Sequence, residues 1–334
     1  MLWIKFAVSA MVIIFSGSRL SRYGDIIAEK TGLGGSLVGV VLMASVTSLP
    51  ELVTGISAVV FVGAPDIAVG DVLGSCVFNL FILAALLDAI HKPMPITTTA
   101  HHGHILSAAA GIVLLCITAF CILFPHYNFA VGWIGIGSLL IFLLYPVALK
   151  IIGEYEKKQI AVSKEAQTDL KYEQMTLRQA AIRYAVHAAI VVVAAAILPE
   201  IGTQIAAESG LGQTFVGSIL MALTSSLPEV VVSMAAVRIK AVDMAIGNLF
   251  GSNLFNLFIL AVDDLFFQQG PLLNNISPSH VFSAGTAIVM TAISIIGLTY
   301  RAQRKYWLWG WDSIAMIVLF VLNFILLLLQ TGIA

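Results

Sequence analysis

Two short apolar segments each carry a glutamate directly after a proline, with hydroxyl side chains just before it. They read TSLPE at residues 47–51 and SSLPE at residues 225–229. Because proline has no backbone N–H, each motif breaks a helical hydrogen bond and leaves a carbonyl oxygen free. Residues three and four positions apart share a helix face, so both hydroxyls are expected beside the glutamate. Each motif therefore predicts a group of oxygen ligands.

A second repeated element adds hydroxyl and amide groups. It reads GSCVFN at residues 74–79 and GSNLFN at residues 251–256. In each copy a serine and an asparagine are four residues apart and share a helix face. The repeated positions offer hard oxygen donors and neither thiolate nor imidazole, which favours Ca²⁺, Na⁺ or a similar cation over zinc or copper. Two glutamates brought together could neutralise one divalent ion, or hold sodium ions or protons.

The composition indicates that these motifs lie in a membrane. Apolar residues make up 59% of the 334 residues and charged residues 10%, against about 45–50% and 25% in soluble domains. A helix crosses a bilayer with roughly 20 apolar residues. Ten such segments are predicted near 2–27, 37–62, 67–90, 103–124, 129–152, 178–206, 215–237, 243–266, 280–300 and 307–330. We therefore expect an all-α polytopic membrane protein with ten transmembrane helices.

The chain also contains an internal repeat. Residues 24–59 align without gaps to 202–237 at an offset of 178, and residues 70–83 align to 247–260 at an offset of 177. Five predicted spans precede a charged linker and five follow it, and an odd number per half gives the halves opposite orientations. This pattern predicts two inverted five-helix repeats. The first repeat is residues 1–153, the cytoplasmic linker is 154–174, and the second repeat is 175–334.

The positions of the basic residues give the expected orientation. Of the 17 Lys and Arg residues, all except Lys5 lie in or beside the loops that follow the odd-numbered spans. Cytoplasmic loops of membrane proteins are enriched in Lys and Arg. We therefore expect a multi-pass protein of the plasma (inner) membrane with its N- and C-termini outside and the 154–174 linker in the cytoplasm.

Inverted repeats and ionisable residues inside the membrane are typical of secondary transporters. The paired TSLPE and SSLPE motifs, each followed by a GSxxxN element, resemble the alpha repeats of the cation/calcium exchanger superfamily, and its prokaryotic sodium/calcium exchanger branch in particular. The resemblance implies alternating access and antiport of Ca²⁺ against Na⁺, and therefore not an enzyme. It places the metal-ion ligands on Glu51, Glu229, Thr47, Ser48, Ser225, Ser226, Ser75, Ser252, Asn79 and Asn256, with backbone oxygens at Ala44 and Ala222.

The chain departs from the family pattern in three places. Cys76 stands where the GSN form has asparagine, and both GSxxxN elements end in asparagine where some relatives have aspartate. The predicted site then has two formal negative charges. Asp71, opposite Asn248 in the repeat, is a possible third acid of the site, and we favour a role in supporting the ligands or in helix packing.

Other functions remain open at this point. Antiport of Ca²⁺, or another cation, against H⁺ is the main alternative. Proton-coupled members of the superfamily typically have a GN pair before the glutamate, and the hydroxyls of this chain favour Na⁺ instead. A cation channel fits inverted repeats less well, and an intramembrane aspartyl protease would need a second aspartate facing Asp71.

The remaining expectations concern partners and charged loop residues. The transported ions are Ca²⁺ and Na⁺ or H⁺, the surroundings are the lipid bilayer, and we expect no resident cofactor, no nucleic acid and no obligate protein partner. His101, His102 and His104 are expected to form a solvated run at the inner membrane interface. Asp263 and Asp264 are expected to form a solvated helix end on the outer side.

Overall fold

The computed structural model describes residues 2–163, 172, 174–209 and 225–330. Helices dominate this part of the chain, and one two-stranded hairpin pairs β1 (Ala130–Val131) with β2 (Ile134–Gly135). The principal helical segments are α1 (Leu2–Thr31), α2 (Gly35–Val62), α3 (Pro65–Ile90), α4 (Gly103–Leu123), α5 (Ile136–Ser163), α6 (Leu177–Ser209), α7 (Leu227–Arg238), α8 (Val242–Phe266), α9 (His280–Tyr300) and α10 (Trp311–Gln330).

Eight segments within the described residues are long and apolar enough to cross a membrane, namely α1 to α6, α8 and α9. The apolar stretch of α10 is shorter, at Trp311–Leu327. The segment α7 begins just after residues 210–224, which lie outside the described residues. Large apolar side chains such as Phe15, Phe61 and Leu143 are exposed on the helices, as expected where the outside is lipid. The prediction of a polytopic helical membrane protein is therefore confirmed.

The two proline motifs break their helices at equivalent serines. In α2 the break is at Ser48, with φ −95° and ψ 7°, and in the second motif Ser226 has φ −90° and ψ 9°. The proline follows two residues later in the first turn of the next helical segment, where its missing N–H removes no helical hydrogen bond. The predicted interruption is therefore present in both motifs, and it lies on the N-terminal side of each proline.

The helix α8 runs through the interior and lies directly against α2. A Cβ atom added to Gly247 or Gly251 would collide with the backbone of Ser36 or Val40, so glycine is required for this close approach. The equivalent glycine of α3, Gly74, has no atom of another residue near its added Cβ among the described residues. The segment equivalent to residues 36–40 in the other half is 214–218, which lies outside the described residues.

Two buried aspartates hold the ends of α3 and α8 in equivalent ways. Asp88 accepts the N–H of the residue eight positions later at 2.8 Å and that of Gly310 at 2.7 Å. Asp264 likewise accepts the N–H eight positions later at 2.7 Å and that of Gly135 at 2.9 Å. Each aspartate thus accepts a hydrogen bond from the residue directly before the last helix of the other half, which is Gly310 before α10 and Gly135 before α5.

The equivalence of these two aspartates corresponds to an offset of 176 rather than 177. The change falls on a π-helical turn at Ile82–Leu87 in α3, and a π-helical turn accommodates one additional residue. Beyond this turn Leu87 is equivalent to Asp263. Asp263 and Asp264 are both fully buried, so the expectation of a solvated helix end is wrong: the chain folds back over the end of α8, and its backbone N–H groups bind Asp264.

The histidine run also differs from expectation. His104 is fully buried, and its Nε2 lies 3.0 Å from Asp243 Oδ1 at the start of α8. His101 lies 3.6 Å from the buried Glu156 of α5. The expected solvated run is therefore wrong for His104, because the loop packs between α5 and α8. The helix α5 continues to Ser163, so the predicted linker is helical in its first part.

Candidate functional site

The hydroxyls of the first motif bind the glutamate of the second. Ser48 Oγ donates to Glu229 Oε1 at 2.9 Å, and Ser252 Oγ on α8 donates to the same oxygen at 3.3 Å. Thr47 Oγ1 lies 3.3 Å from Ser252 Oγ. Glu229 is therefore hydrogen-bonded by Ser48 of the other motif and by Ser252 of α8, and the break at Ser48 turns that hydroxyl toward the other half.

Glu51 has no such contacts. Its side chain is fully buried, and neither carboxylate oxygen has a hydrogen-bond partner within the described residues. Its carboxylate lies close enough to those of Glu229 and Asp71 for electrostatic repulsion. Glu51 and Glu229 both lie in the first turn of a helical segment, where the helix dipole favours a negative charge.

The amide pair of the GSxxxN elements is also unequal. Asn79 Nδ2 donates to Asn253 Oδ1 at 3.0 Å, which leaves Asn79 Oδ1 without a partner. The equivalent bond from Asn256 would need an acceptor at position 76, where the chain has cysteine. Asn256 is fully buried, and neither of its amide atoms has a hydrogen-bond partner in the described part of the chain. At position 76 a thiol therefore stands where an amide oxygen would accept from Asn256, and sulfur is a much weaker acceptor.

The second motif makes its contacts with α3. Ser226 Oγ donates to Ser75 Oγ at 3.3 Å, and Ser225 Oγ donates to Asp71 Oδ1 at 3.3 Å. In the first motif the backbone oxygen of Ala44 accepts the N–H of Ser48 at 3.0 Å. The second expected backbone ligand, Ala222, lies outside the described residues.

The expected ligands that the structure describes are thus brought together at the junction of α2, α3, α7 and α8. Several of their buried oxygen atoms have no hydrogen-bond partner in the described chain: Glu51 Oε1 and Oε2, Glu229 Oε2, Asn79 Oδ1 and Asn256 Oδ1. Unpaired buried oxygens are costly unless they bind a cation or a proton. Over the same residues, no group of three or more His, Cys, Asp or Glu side chains is arranged to hold a metal ion. A cation here would bind two carboxylates together with hydroxyl and amide oxygens, a set that suits hard cations.

Two residues of this network were not anticipated from the sequence. The Asn248 side chain accepts a hydrogen bond from Thr47 at 3.3 Å and donates one to Ser233 at 3.0 Å. Asn253 Oδ1 accepts a hydrogen bond from Asn79 Nδ2. Asn248 is equivalent to Asp71, and its contact with Thr47 is the counterpart of the contact between Asp71 and Ser225. The repeat alignment contained this signal, since it pairs Asp71 with Asn248.

Comparison with known proteins gives consistent matches. A family model described as "Sodium/calcium exchanger protein" matches residues 1–150 and 180–329. The "Sodium/calcium exchanger MaX1" of Methanosarcina acetivorans is 24% identical over 360 residues, covering 96% of this chain and 97% of its own. The "Putative antiporter CaxA" of Alkalimonas amylolytica is 25% identical over 256 residues, 76% of each chain.

The fold is also that of a solved exchanger structure. The sodium-calcium exchanger NCX_Mj, soaked with 10 mM Na⁺ and zero Ca²⁺, superposes with a TM-score of 0.71 at 19% identity, covering 97% of this chain and 99% of that one. At this level of identity the likeness establishes the fold.

Proposed function

Because the chain belongs to the sodium/calcium exchanger protein family, whose members are transporters rather than enzymes, we propose that it exchanges Ca²⁺ for Na⁺ across the membrane. The cation binds between Glu51 and Glu229, and the bound ion is exposed to one side of the membrane at a time. Family membership supports cation antiport in general. The choice of counter-ion and the two-glutamate site are our proposals.

The observation that carries the proposal is the group of unpartnered oxygens around Glu51. Five buried carboxylate and amide oxygens of the expected ligands, on Glu51, Glu229, Asn79 and Asn256, have no hydrogen-bond donor within the described chain. A dehydrated Ca²⁺ needs six to eight oxygen ligands, and hydroxyls at Ser48 and its neighbours can complete that number. These hydroxyls also supply the neutral oxygens that Na⁺ requires.

We also propose that the chain has ten spans in two inverted repeats, residues 1–153 and 175–334, joined by the linker 154–174. Three paired features support this arrangement. They are the equivalent helix breaks at Ser48 and Ser226, the contacts of Thr47 with Asn248 and of Ser225 with Asp71, and the two aspartates that bind the opposite half. In the proposed orientation the linker is cytoplasmic and both termini are outside.

The exchange reaction can be tested in sealed vesicles. Purified protein in proteoliposomes loaded with Na⁺, at equal pH on both sides, should take up ⁴⁵Ca²⁺ when diluted into Na⁺-free medium. Uptake should saturate with Ca²⁺ and disappear when choline replaces the internal Na⁺. A channel would instead conduct Ca²⁺ without a counter-ion gradient, and that result would contradict the proposal.

Proton coupling is the second candidate, favoured by one specific feature. The Glu51 carboxylate is buried without a partner, and such a group can bind a proton in place of a cation. Under this alternative, Ca²⁺ uptake ignores internal Na⁺ and follows an imposed pH gradient. The same vesicles, loaded with choline at acidic internal pH, separate the two candidates.

The orientation can be tested by cysteine labelling. Cys116 is the exposed native cysteine, and Cys76 and Cys121 are buried, so Cys116 is first replaced by alanine. A cysteine introduced in the 154–174 linker should then react only with a reagent supplied from the cytoplasm, and one in the loop 268–279 only from outside. The reverse pattern would contradict the proposed orientation.

A further inference from the structure

A second pair of carboxylates lies near the two-glutamate site, at the end of α8 and the beginning of α3. Asp263 is fully buried, and neither of its carboxylate oxygens has a hydrogen-bond partner within the described residues. The same holds for Asp71 Oδ2, while Asp71 Oδ1 accepts from Ser225. Asp263 and Asp71 interact electrostatically, and no described Lys, Arg or His side chain forms an ion pair with either.

Gly55 on α2 provides the space for this carboxylate. A Cβ atom at Gly55 would collide with Asp263 Oδ2 and come within 2.8 Å of Oδ1. Alanine at this position would therefore displace the Asp263 carboxylate. The Asp263 carboxylate thus lies directly against the backbone of α2 at Gly55.

The other half of the molecule provides an internal comparison. The residues equivalent to Asp71, Gly55 and Asp263 are Asn248, Ser233 and Leu87. Asn248 donates to Ser233 at 3.0 Å and accepts from Thr47, so that position is neutral and hydrogen-bonded. The position near Asp71 instead combines two carboxylates with a glycine that can donate no side-chain hydrogen bond. The helices around Asn248 and Ser233 pack without an acidic side chain at these positions. Helix packing therefore does not explain why two aspartates lie at the equivalent place.

We propose that Asp71 and Asp263, with the Ser225 hydroxyl, form a second binding site for a hard divalent cation such as Ca²⁺. Two carboxylates neutralise the ion, and the hydroxyl supplies a neutral oxygen. In the orientation given above, the site lies between the outer surface and Glu51, where it would capture external Ca²⁺ before transport. The position relative to the transport route rests on the proposed function, whereas the binding itself does not.

The direct test is equilibrium binding of ⁴⁵Ca²⁺ to the purified full-length protein in lipid nanodiscs. The wild type should bind one more Ca²⁺ than Asp263→Asn, and the variant should keep the binding that depends on Glu51. If Asp263→Asn is not monodisperse, Asp71→Asn takes its place, since its equivalent Asn248 shows that an amide packs well in this setting. Equal Ca²⁺ stoichiometry and affinity in the wild type and the folded variant would overturn the inference.

The matched control is Asp66→Asn, five residues before Asp71 on the same helix. Asp66 is half exposed and its carboxylate lies 2.9 Å from His280 Nε2, so it already has a partner and its substitution should leave the stoichiometry unchanged. Loss of a bound Ca²⁺ in this control as well would indicate a general charge effect and overturn the inference. Glu51→Gln separates the two proposals: if it retains all Ca²⁺ binding while Asp263→Asn loses one ion, the two-glutamate site fails and the second site stands.

A flux measurement then tests the position of the site. In vesicles of defined orientation, Asp263→Asn should raise the external Ca²⁺ concentration for half-maximal exchange about tenfold, equivalent to about 1.4 kcal/mol. The internal Ca²⁺ dependence should stay unchanged. Equal shifts on both sides would contradict an outer position.

Discussion

Glu51 and Glu229 occupy equivalent positions in two similar motifs, yet their surroundings differ. Glu229 accepts hydrogen bonds from Ser48 and Ser252 on one oxygen, whereas both oxygens of Glu51 lack a partner within the described chain. The reciprocal bond, from Ser226 to Glu51, is absent because Ser226 donates to Ser75 instead. Glu229 is thus held in place by protein hydrogen bonds and Glu51 is not; under the proposed function, the ion satisfies the Glu51 carboxylate.

The difference extends to the amides. Asn253 accepts from Asn79, but Cys76 stands at the position that would satisfy Asn256. A hydrogen-bonded carboxylate is preorganised, while an unpaired one can reorient when a cation arrives or leaves. We infer that Glu229 positions the ion and that Glu51 completes its coordination. During exchange the Glu51 side of the site can then rearrange with little loss of protein hydrogen bonds, because Glu51 makes none.

The largest expected effect is on transport. Glu51→Gln and Glu229→Gln should each lower Ca²⁺ exchange by about 100-fold or more, since removing a charge from a buried site costs several kcal/mol and 1.4 kcal/mol is tenfold. Initial rates of ⁴⁵Ca²⁺ uptake measure this. Glu154→Gln on the exposed part of α5 is the control. Near-normal Ca²⁺ exchange by both Glu51→Gln and Glu229→Gln would contradict the proposed two-glutamate site.

The serines should separate the two halves. Ser48→Ala should raise the KM for Ca²⁺ by roughly 30-fold, because a hydrogen bond to a charged group contributes about 2 kcal/mol. Ser226→Ala should raise it by only about fivefold, since a neutral hydroxyl pair contributes about 1 kcal/mol before any ion contact is counted. Equal effects of the two substitutions would show that the asymmetry does not persist in the ion-bound protein.

Stability without ions tests whether Glu51 is unsatisfied. In the presence of a chelator, Glu51→Gln should raise the free energy of unfolding by about 1–2 kcal/mol, because it removes a buried charge that lacks a partner. Glu229→Gln should give no gain, since it weakens the bonds from Ser48 and Ser252. Thermal unfolding in detergent measures both. A gain for Glu229→Gln and not for Glu51→Gln would reverse the assignment.

The smallest expected effect comes from restoring the missing amide. Cys76→Asn should offer Asn256 the acceptor that Asn253 offers Asn79, and so stabilise the ion-free protein by about 1 kcal/mol. Cys76→Ser, which cannot reach as far, is the matched control. A loss of stability in Cys76→Asn alone would mean that the space around position 76 is too small for the asparagine side chain.

The sequence determined the membrane class, the repeat, the helix breaks and the set of candidate ligands. Composition and the length of the apolar segments determine the membrane class. The chemistry of proline requires the helix break beside Glu51 and Glu229. These properties follow from local rules, so they can be predicted without knowledge of the packing. The resemblance of the motifs to the exchanger family was confirmed over both halves.

Only the tertiary structure decided which groups meet. Ser48 contacts Glu229 rather than Glu51, Asp264 is buried rather than solvated, and the π-helical turn at Ile82–Leu87 pairs Asp263 with a leucine. These contacts join residues that are far apart along the chain, and they depend on how the two halves pack against each other. Neither helical periodicity nor composition contains that information, because a shift of one residue at a single turn changes which side chains face the interface.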